Sequence, residues 1–534
     1  MKVLITEKIA KEAVEYIKNA GFIADELLSL SAEELQDKIK DYDALIVRSA
    51  TKVNKELLSK ADNLRVIGRA GSGVDNIDTD EATKKGIIVL NTPGGNSMAA
   101  AELAVGSAYS IFRNLHSANA AARKNDFRRA RFIGNELDGK IAGIIGMGRI
   151  GEIVAKKLKG SNMRVIGYDP FATDERFKKI GIEKCDTLED LLERADLISV
   201  HTPKTQQTLN LLGKKEFEKC KTGVRIVNAA RSGIINEDDL YDALVSGKVA
   251  AAAIDVLNPE PEYNLEPERQ DYKNKLLDLE NVLITPHLGA STKEASLNVG
   301  MMISKFTVQA LNGEIVPAVN MPQLGSICLE DLQPYLQIAE ILGKIYYQVE
   351  KEKVEEIIIL YSGEISKQTL KPITLSVLKG FLSTVYSERI NYVNAESIIN
   401  EMGIKYTEST TTSIESYKSL ITVTFKTKKK ELSISGTVFG KDMLRIINFF
   451  GYIMDFEPTP HIIAIQNKDI PGMIGKTGTI FGNNEVNIAS MQLSRNRRGG
   501  KAMSFISVDG SPPESLINAL KNTDGILKVS TIEL

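Results

Sequence analysis

The sequence predicts an α/β chain with two doubly wound parallel-sheet domains, then an α+β segment, then a terminal βαββαβ unit. Three observations predict it. Short apolar runs alternate with helical stretches from Val3 to His287. A glycine-rich turn of the dinucleotide type stands at Gly146, far from the first strand. The final 74 residues alternate in a compact two-helix, four-strand order.

The first ninety-odd residues read as an open parallel sheet. VLIT (3–6), LIVRS (45–49), RVIGRAG (65–71) and IIVLN (87–91) are buried-strand candidates, and Ile9–Ala20 is helical. A dinucleotide domain carries its glycine turn after its own first strand, so these residues form a different domain. The helix from about Ser97 to Asn114 makes the crossover.

The next stretch is KIAGIIGMGRIGEIVAKKLKGSNMRVIGYDP, residues 140–170. Its order is strand, glycine turn, helix, strand and acid. Gly146 permits the tight turn, Gly148 lets backbone approach a pyrophosphate, and Gly151 lets the helix pack on its strand. The helix N-terminus offers free N–H groups and a partial positive charge. Asp169, 18 residues past Gly151, suits a ribose with both hydroxyls free and repels a 2′-phosphate, which favours NAD over NADP. Strands follow at 197–203, 225–230, 251–257 and 281–287, separated by helices at 187–194, 213–219 and 236–247. A helix over 291–311 should return to the first domain, leaving a cleft with His287 at its mouth.

Residues 321–457 mix helices (334–350, 370–384, 395–402) with β-rich stretches and show no catalytic signature. From His461 the order is strand, helix, strand, strand, helix, strand, a ferredoxin-like arrangement with Pro471 expected at a helix start.

Composition excludes several classes. Lys plus Arg number 67 against 69 Asp plus Glu, for a formal net charge of -2, so nothing calls for nucleic acid or an anionic membrane. Cys185, Cys220 and Cys328 lack metal-ligand spacing and read as packing residues of a reducing compartment; no metal is expected. The N-terminus enters a strand pattern at once, and the longest small-apolar stretch, 99–112, is too short to span a bilayer. A cytoplasmic location is expected.

Hydride exchange between an alcohol and a ketone needs a proton acceptor and a group that holds the substrate. Of four histidines, His287 follows a strand where open sheets bind ligands. His201 ends another strand and more naturally shapes the cofactor wall; His116 and His461 lie elsewhere. Glu260, between two prolines, is the acid available to orient an imidazole. Arg231, before Ser232 and Gly233, offers a planar fork to a carboxylate. Each alone also fits an ordinary loop or surface residue. Arg48 and Arg69 end first-domain strands, with Ser72, Gly73 and Asn96 as further donors for an anionic ligand.

Together these stretches resemble the D-isomer-specific 2-hydroxyacid dehydrogenases. RSATKV (48–53), RAGSGVDNID (69–78), NTPGGNS (91–97), GMGRIG, VHTP, NAARSG, AAIDVLNPEP and TPHLGAST carry the resemblance in order over about 310 residues. It implies Arg231, Glu260 and His287 as catalytic arginine, glutamate partner and acid/base histidine. Arg149 and Ile150 would line the pyrophosphate and Asp169 the adenosine ribose. Asp255 would meet the nicotinamide carboxamide, and His201, Thr202, Pro203 and Ala229 would complete the NAD wall. The implied domains are a substrate-binding domain (1–97 and 288–318) interrupted by a Rossmann NAD domain (98–287), then an intervening domain (319–457) and an ACT domain (458–534). NGEIVPAVNMP, LGKIYYQV, NYVNAESIINEMGI and GTVFG are similar to the intervening domain of long-form D-3-phosphoglycerate dehydrogenases; NKDIPGMIG and VNIAS look like an ACT domain.

By that resemblance the reaction is oxidation of 3-phosphoglycerate to 3-phosphohydroxypyruvate with NAD, the first step of serine synthesis, in a homodimer or homotetramer. ACT domains of this family pair edge to edge and bind serine, which makes Asn467, Asp469 and Asn487 effector candidates; Lys441 and Arg445 are candidates for a second anion. Two other readings stay open: a glyoxylate or hydroxypyruvate reductase, and a non-catalytic NAD-sensing protein like the corepressors of this fold.

Overall fold

A computed structural model describes residues 1–28, 30–263, 265–321, 329–386, 390–414 and 416–534; Cys328 lies outside them. The chain divides into two compact units, Met1–Ile77 with Leu90–Asn312, and Asp78–Val89 with Gly313–Leu534.

In the first unit, β1 (Lys2–Ile5), β2 (Ile23–Glu26), β3 (Ala44–Val47) and β4 (Val66–Arg69) lie parallel in the order β2-β1-β3-β4. Val3, Leu4, Ile5 and all of β3 are buried, as continuous apolar strands covered on both faces must be. The chain enters the second unit at Asp78 and returns through β5 (Ile88–Leu90). Seven strands then form the second parallel sheet: β6 (Ile141–Ile145), β7 (Arg164–Tyr168), β8 (Glu183–Lys184), β9 (Leu197–Val200), β10 (Val224–Asn228), β11 (Val249–Ile254) and β12 (Val282–Ile284). Their order is β12-β11-β10-β9-β6-β7-β8. Strand order reverses between β6 and β9, and the carboxyl ends there open the crevice such sheets use for ligands.

Helix Lys293–Leu311 returns to the first sheet as expected, with Ile303 and Thr307 seated against Gly68 of β4. Short elements that escaped the sequence reading include β2, β8, helix Asp174–Ile180, and helix Leu115–Ala122, which begins after Asn114 turns left-handed at φ 53. Helix Leu115–Ala122 has no buried residue, so there was no apolar stripe to find.

In the second unit, β13 (Glu356–Gly363), β14 (Lys405–Thr411), β15 (Ser419–Lys426), β16 (Glu431–Phe439), β17 (Met443–Phe449) and β18 (Tyr452–Phe456) form one sheet in the order β14-β13-β15-β16-β17-β18. The terminal sheet has β19 (His461–Lys468), β20 (Ile488–Arg495), β21 (Lys501–Val508) and β22 (Ile526–Glu533) in the order β20-β21-β19-β22, all antiparallel. This is the expected βαββαβ unit. Pro471, however, precedes the helix cap: the helix runs Met473–Asn483 behind Gly472, whose φ of 88 only glycine adopts readily. Asp78–Val89 joins this unit because the Asn320 amide donates to Thr83 Oγ1 (3.0 Å) and Ile87 O (2.9 Å) and accepts from Val89 N (2.9 Å).

The two segments of this unit share one core. On β19, Ile463 and Ile465 face the terminal helices through Phe481, Leu516 and Leu520. Ile462 and Ala464, on the opposite face by strand alternation, join Phe505 and Ile532 in the cluster built by helix Leu329–Val349 and the six-stranded sheet. The Phe505 ring packs on Phe449 (4.6 Å between centroids) and Phe456 (5.3 Å). Outside the core, Glu350 bridges Lys430 (2.9 Å) and Lys528 (2.7 Å). Phe505→Ala should therefore cost about 3–5 kcal/mol and lower one joint calorimetric transition of the intervening and terminal segments. Two independent transitions, only one of them shifted, would contradict the shared core.

Candidate active site

The nucleotide end of the site forms where β6 meets β9. Gly146, at φ 92, turns the chain so tightly that a Cβ would stand 2.7 Å from His201 O. A Cβ on Gly151 would stand 2.0 Å from Gly146 O, so the helix can enter only with glycine there. Helices beginning after Thr187, Asn236 and Thr292 are each capped by that residue's own side chain. Helix Arg149–Lys159 begins behind Gly148, which has no side chain to cap it and open space on its Cβ side. Its first N–H groups thus keep their capacity for an anion, as a pyrophosphate requires. Arg149 reaches back over Gly94, 3.2 Å from where that residue's Cβ would be, and Ile150 packs into the sheet below. Asp169, at the end of β7, accepts the Met147 N–H at 2.8 Å and the Phe171 N–H at 2.9 Å, which ties the acid to the glycine turn. These residues fit a dinucleotide with an unmodified adenosine ribose.

His201 and Thr202 line the β9 side of the crevice. His201 Nε2 contacts Ser199 Oγ at 2.8 Å, while its Nδ1 and Thr202 Oγ1 are buried without partners among the described residues. Burial lowers the imidazole pKa to about 4, so the ring is neutral at ordinary pH. The Pro203 carbonyl accepts from Thr208 Oγ1 (2.6 Å), and Ala229 stands in the turn after β10, which Asn228 folds by bonding Ala230 N (3.1 Å) and Arg231 O (3.0 Å).

The catalytic candidates meet on the exits of β10, β11 and β12. His287 Nδ1 lies 2.9 Å from Glu260 Oε2. Ser232 Oγ, next to Arg231, is 3.3 Å from Glu260 Oε1, and Tyr263 Oη donates to Glu260 Oε2 at 2.9 Å. Burial pushes the Glu260 pKa up, but bonding to His287, Tyr263 and Ser232 outweighs it and holds the group below its usual value. His287 itself has φ 54. Asp255 fixes that conformation: its backbone O accepts the His287 N–H (2.9 Å), its Oδ1 accepts Thr285 Oγ1 (2.6 Å) and Leu288 N–H (2.7 Å), and its Oδ2 accepts Gly289 N–H (3.0 Å). Asp255 was expected to face the carboxamide. What the structure shows is a buried carboxylate engaged by the histidine turn, with its pKa raised by burial against those bonds.

Across the crevice three arginines converge. Arg69 Nε is buried and has no partner among the described residues. Burial first, then the positive charges of Arg231 and Arg48, bring its pKa down to about 10 despite Asp75 and Glu7. Cβ atoms on Gly71 and Gly73 would collide with the guanidinium groups of Arg69 (1.8 Å) and Arg231 (2.3 Å), so the loop between them admits both forks. Arg231 Nε is held by Asp75 Oδ2 at 3.1 Å. Ser72 Oγ donates to Asn96 Oδ1 at 2.7 Å. Arg48 lines a cleft of about 590 Å³ with Glu12 and residues 290–293. A half-buried cationic cluster beside an acid-paired imidazole suits an anionic hydroxy acid. Sequence reasoning gave no role to Tyr263, Ser232 or Asp75; Ser232 and Asp75 lie inside the motifs NAARSG and RAGSGVDNID, whereas Tyr263 carried no signal.

The effector candidates do not converge within one chain. Asn467 pairs with Ala502 on β21, whereas Ile488, beside Asn487, pairs with Val508; six residues of strand separate them by ~20 Å. Asn467 Nδ2 donates to Lys468 O (2.7 Å), Asn487 Nδ2 to Asp509 Oδ2 (3.0 Å), and Asp469 accepts Gly499 N–H (2.8 Å). Arg445 is no second anion site as it stands: Asp455 (3.3 Å) and Glu457 (3.1 Å) already balance it.

Residues 105–289 match the D-isomer specific 2-hydroxyacid dehydrogenase NAD binding domain, 331–450 the D-3-phosphoglycerate dehydrogenase intervening domain and 461–525 the ACT domain. The D-3-phosphoglycerate dehydrogenase of Archaeoglobus fulgidus is 40% identical over 100% of both chains. The chain belongs to the D-3-phosphoglycerate dehydrogenase family. The Bacillus subtilis member is 39% identical over 100% of this chain and 99% of its own. Among solved structures, D-lactate dehydrogenase of Aquifex aeolicus, complexed with NAD and lactic acid, is similar with a TM-score of 0.54 at 26% identity, over 60% of this chain and 100% of that one. The family's NAD domain thus coincides with the glycine turn, Asp169 and the histidine crevice described above.

Because His201 is neutral in the fold and protonates near 6.5 when unfolded, stability is full above that pH and falls as pH drops towards about 4. His201→Gln should flatten this fall: between pH 6.5 and 5 the apparent Tm of the first unit should drop less than in the parent. Equal slopes would show the ring to be solvated.

Proposed function

We propose that this chain oxidises 3-phosphoglycerate to 3-phosphohydroxypyruvate with NAD, as its full-length relatives' name describes, and that His287 is its acid/base. The observation that carries the reading is the 2.9 Å contact between His287 Nδ1 and Glu260. It leaves Nε2 as the nitrogen that exchanges a proton with the substrate hydroxyl. When bound, NAD supplies the hydride acceptor; Gly146, Gly148, Gly151, Arg149, Ile150 and Asp169 would hold it, with His201, Thr202, Pro203, Ala229 and Asp255 around the ring end.

His287 Nε2 takes the C2 hydroxyl proton, and the imidazolium so formed is stabilised by Glu260. Arg231, steadied by Asp75, grips the carboxylate and polarises the oxygen as the carbonyl forms. Arg69 and Arg48, with Ser72, Gly73 and Asn96, take the remaining anionic end. The intervening and ACT segments, absent from a simple hydroxypyruvate reductase and needless in a non-catalytic NAD sensor, favour the biosynthetic enzyme over both. Free, buried Cys185 and Cys220 fit a reducing cytoplasm.

Serine is the proposed effector. Because Asn467 and Asn487 stand at opposite ends of one sheet, a shared serine needs Asn487 from a second ACT domain, which implies a homodimer or a homotetramer built from it.

Two tests follow from this reading. NADH formation from 3-phosphoglycerate should be robust, and His287→Ala should reduce kcat by 10²–10⁴, on the order expected for general acid–base loss, with NAD affinity preserved; retained turnover would move the acid/base role elsewhere. Asn487→Ala should raise the half-inhibitory serine concentration without altering uninhibited kcat, measured by serine titration. A parent enzyme indifferent to serine would remove the effector.

A further inference from the structure

Beside the Glu260–His287 pair stands an aromatic residue that the mechanism above does not use. Tyr263 Oη donates to Glu260 Oε2 at 2.9 Å, the same oxygen that faces His287 Nδ1 at 2.9 Å. Its ring also meets the imidazole edge-on, at 5.9 Å between centroids and 78° between planes. We propose that Tyr263 is a positioning residue that sets the proton affinity of His287 by sharing its carboxylate oxygen. The proposal rests on His287 being the acid/base.

Two donors compete for one charge. Burial, and then the neighbouring Glu260 carboxylate, raise the Tyr263 pKa well above its ordinary value, so the phenol stays protonated and keeps donating at any working pH. Part of the negative charge on Oε2 is therefore already engaged before His287 protonates. An imidazolium facing that oxygen gains less than it would from an unshared carboxylate. The phenol thus holds the histidine more acidic, which keeps a larger neutral fraction ready to accept a proton.

The second contact acts on geometry. The ring edge restricts rotation of the imidazole about its own bonds, keeping Nδ1 on the carboxylate and Nε2 towards the crevice. The loop carrying Tyr263 is itself anchored: Tyr272 Oη donates to Pro259 O (2.7 Å), and Glu237 accepts from Asn258 N (2.8 Å) and Asn274 Nδ2 (2.6 Å). The other titratable and charged groups around the pair are Asp255 under His287, Tyr272 and Glu237 across the loop, and Arg231 beside Ser232 at the exit of β10. A tyrosine-to-phenylalanine change leaves all of them in place.

The test compares the pH dependence of kcat/KM for the full-length parent, Tyr263→Phe, Tyr263→Ala and His287→Ala, with 3-phosphoglycerate and NAD. Tyr263→Phe should move the acid limb up by about 0.5–1 pH unit, a 3- to 10-fold loss on the acid side, with the plateau held within about threefold and NAD affinity unchanged. Tyr263→Ala should show the same shift and a lower plateau, since the ring is gone. The pH dependence of diethylpyrocarbonate modification of His287, read by mass spectrometry, should shift in parallel and does not depend on turnover. An unmoved acid limb and modification profile in Tyr263→Phe overturn the proposal, as does a lowered plateau with no shift. Activity surviving in His287→Ala overturns instead the acid/base reading beneath it.

Discussion

The site depends on one buried carboxylate. Asp255 receives bonds from the hydroxyl of Thr285 and from the backbone of Leu288 and Gly289, and its own carbonyl receives the His287 N–H. A left-handed conformation at a residue with a Cβ costs about 1–2 kcal/mol, and these bonds offset that cost. They aim the imidazole away from the strand axis and towards Glu260. An acid just past the end of β11 thereby determines how a loop histidine is presented, at the cost of keeping a charge in surroundings that raise its pKa.

The opposite wall works by the reverse logic. Arg231 and Arg48 are brought close enough to Arg69 to disfavour its charge, with Asp75 and Glu7 as partial compensation. Like charges held this close raise the free energy of the fold, and an opposite charge placed among them would lower it. Glycines at 71 and 73 make room for the guanidinium groups, as Gly146 and Gly151 do for the strand-to-helix turn on the nucleotide side.

Much of this was legible in the sequence. Both parallel sheets, the late position of the glycine turn and the terminal βαββαβ order followed from apolar runs of four to six residues and from turn chemistry. His287, Glu260 and Arg231 stood out because each follows a strand predicted to end at the crevice. The rest was hidden for physical reasons. Helix Leu115–Ala122 buries nothing and so has no periodic face. Tyr263 reaches Glu260 only through the fold of a proline-bounded loop, and a lone aromatic in such a loop has no pattern. The role of Asp255 was hidden because two of the three groups its carboxylate accepts from are backbone N–H groups, which no residue type announces. Separate intervening and terminal domains were expected, since alternation on β19 shows that both faces are apolar but not that one of them belongs to a neighbour.

That second face has a bearing on how the chain can be divided. A module whose underside is part of another module's interior is not a removable accessory. Cutting the chain near residue 458 would uncover Phe449 and Phe456, the rings that Phe505 covers, and leave a sticky apolar floor in water. The terminal βαββαβ unit and the sheet beneath it therefore behave as one piece, and removing the one requires resurfacing the other.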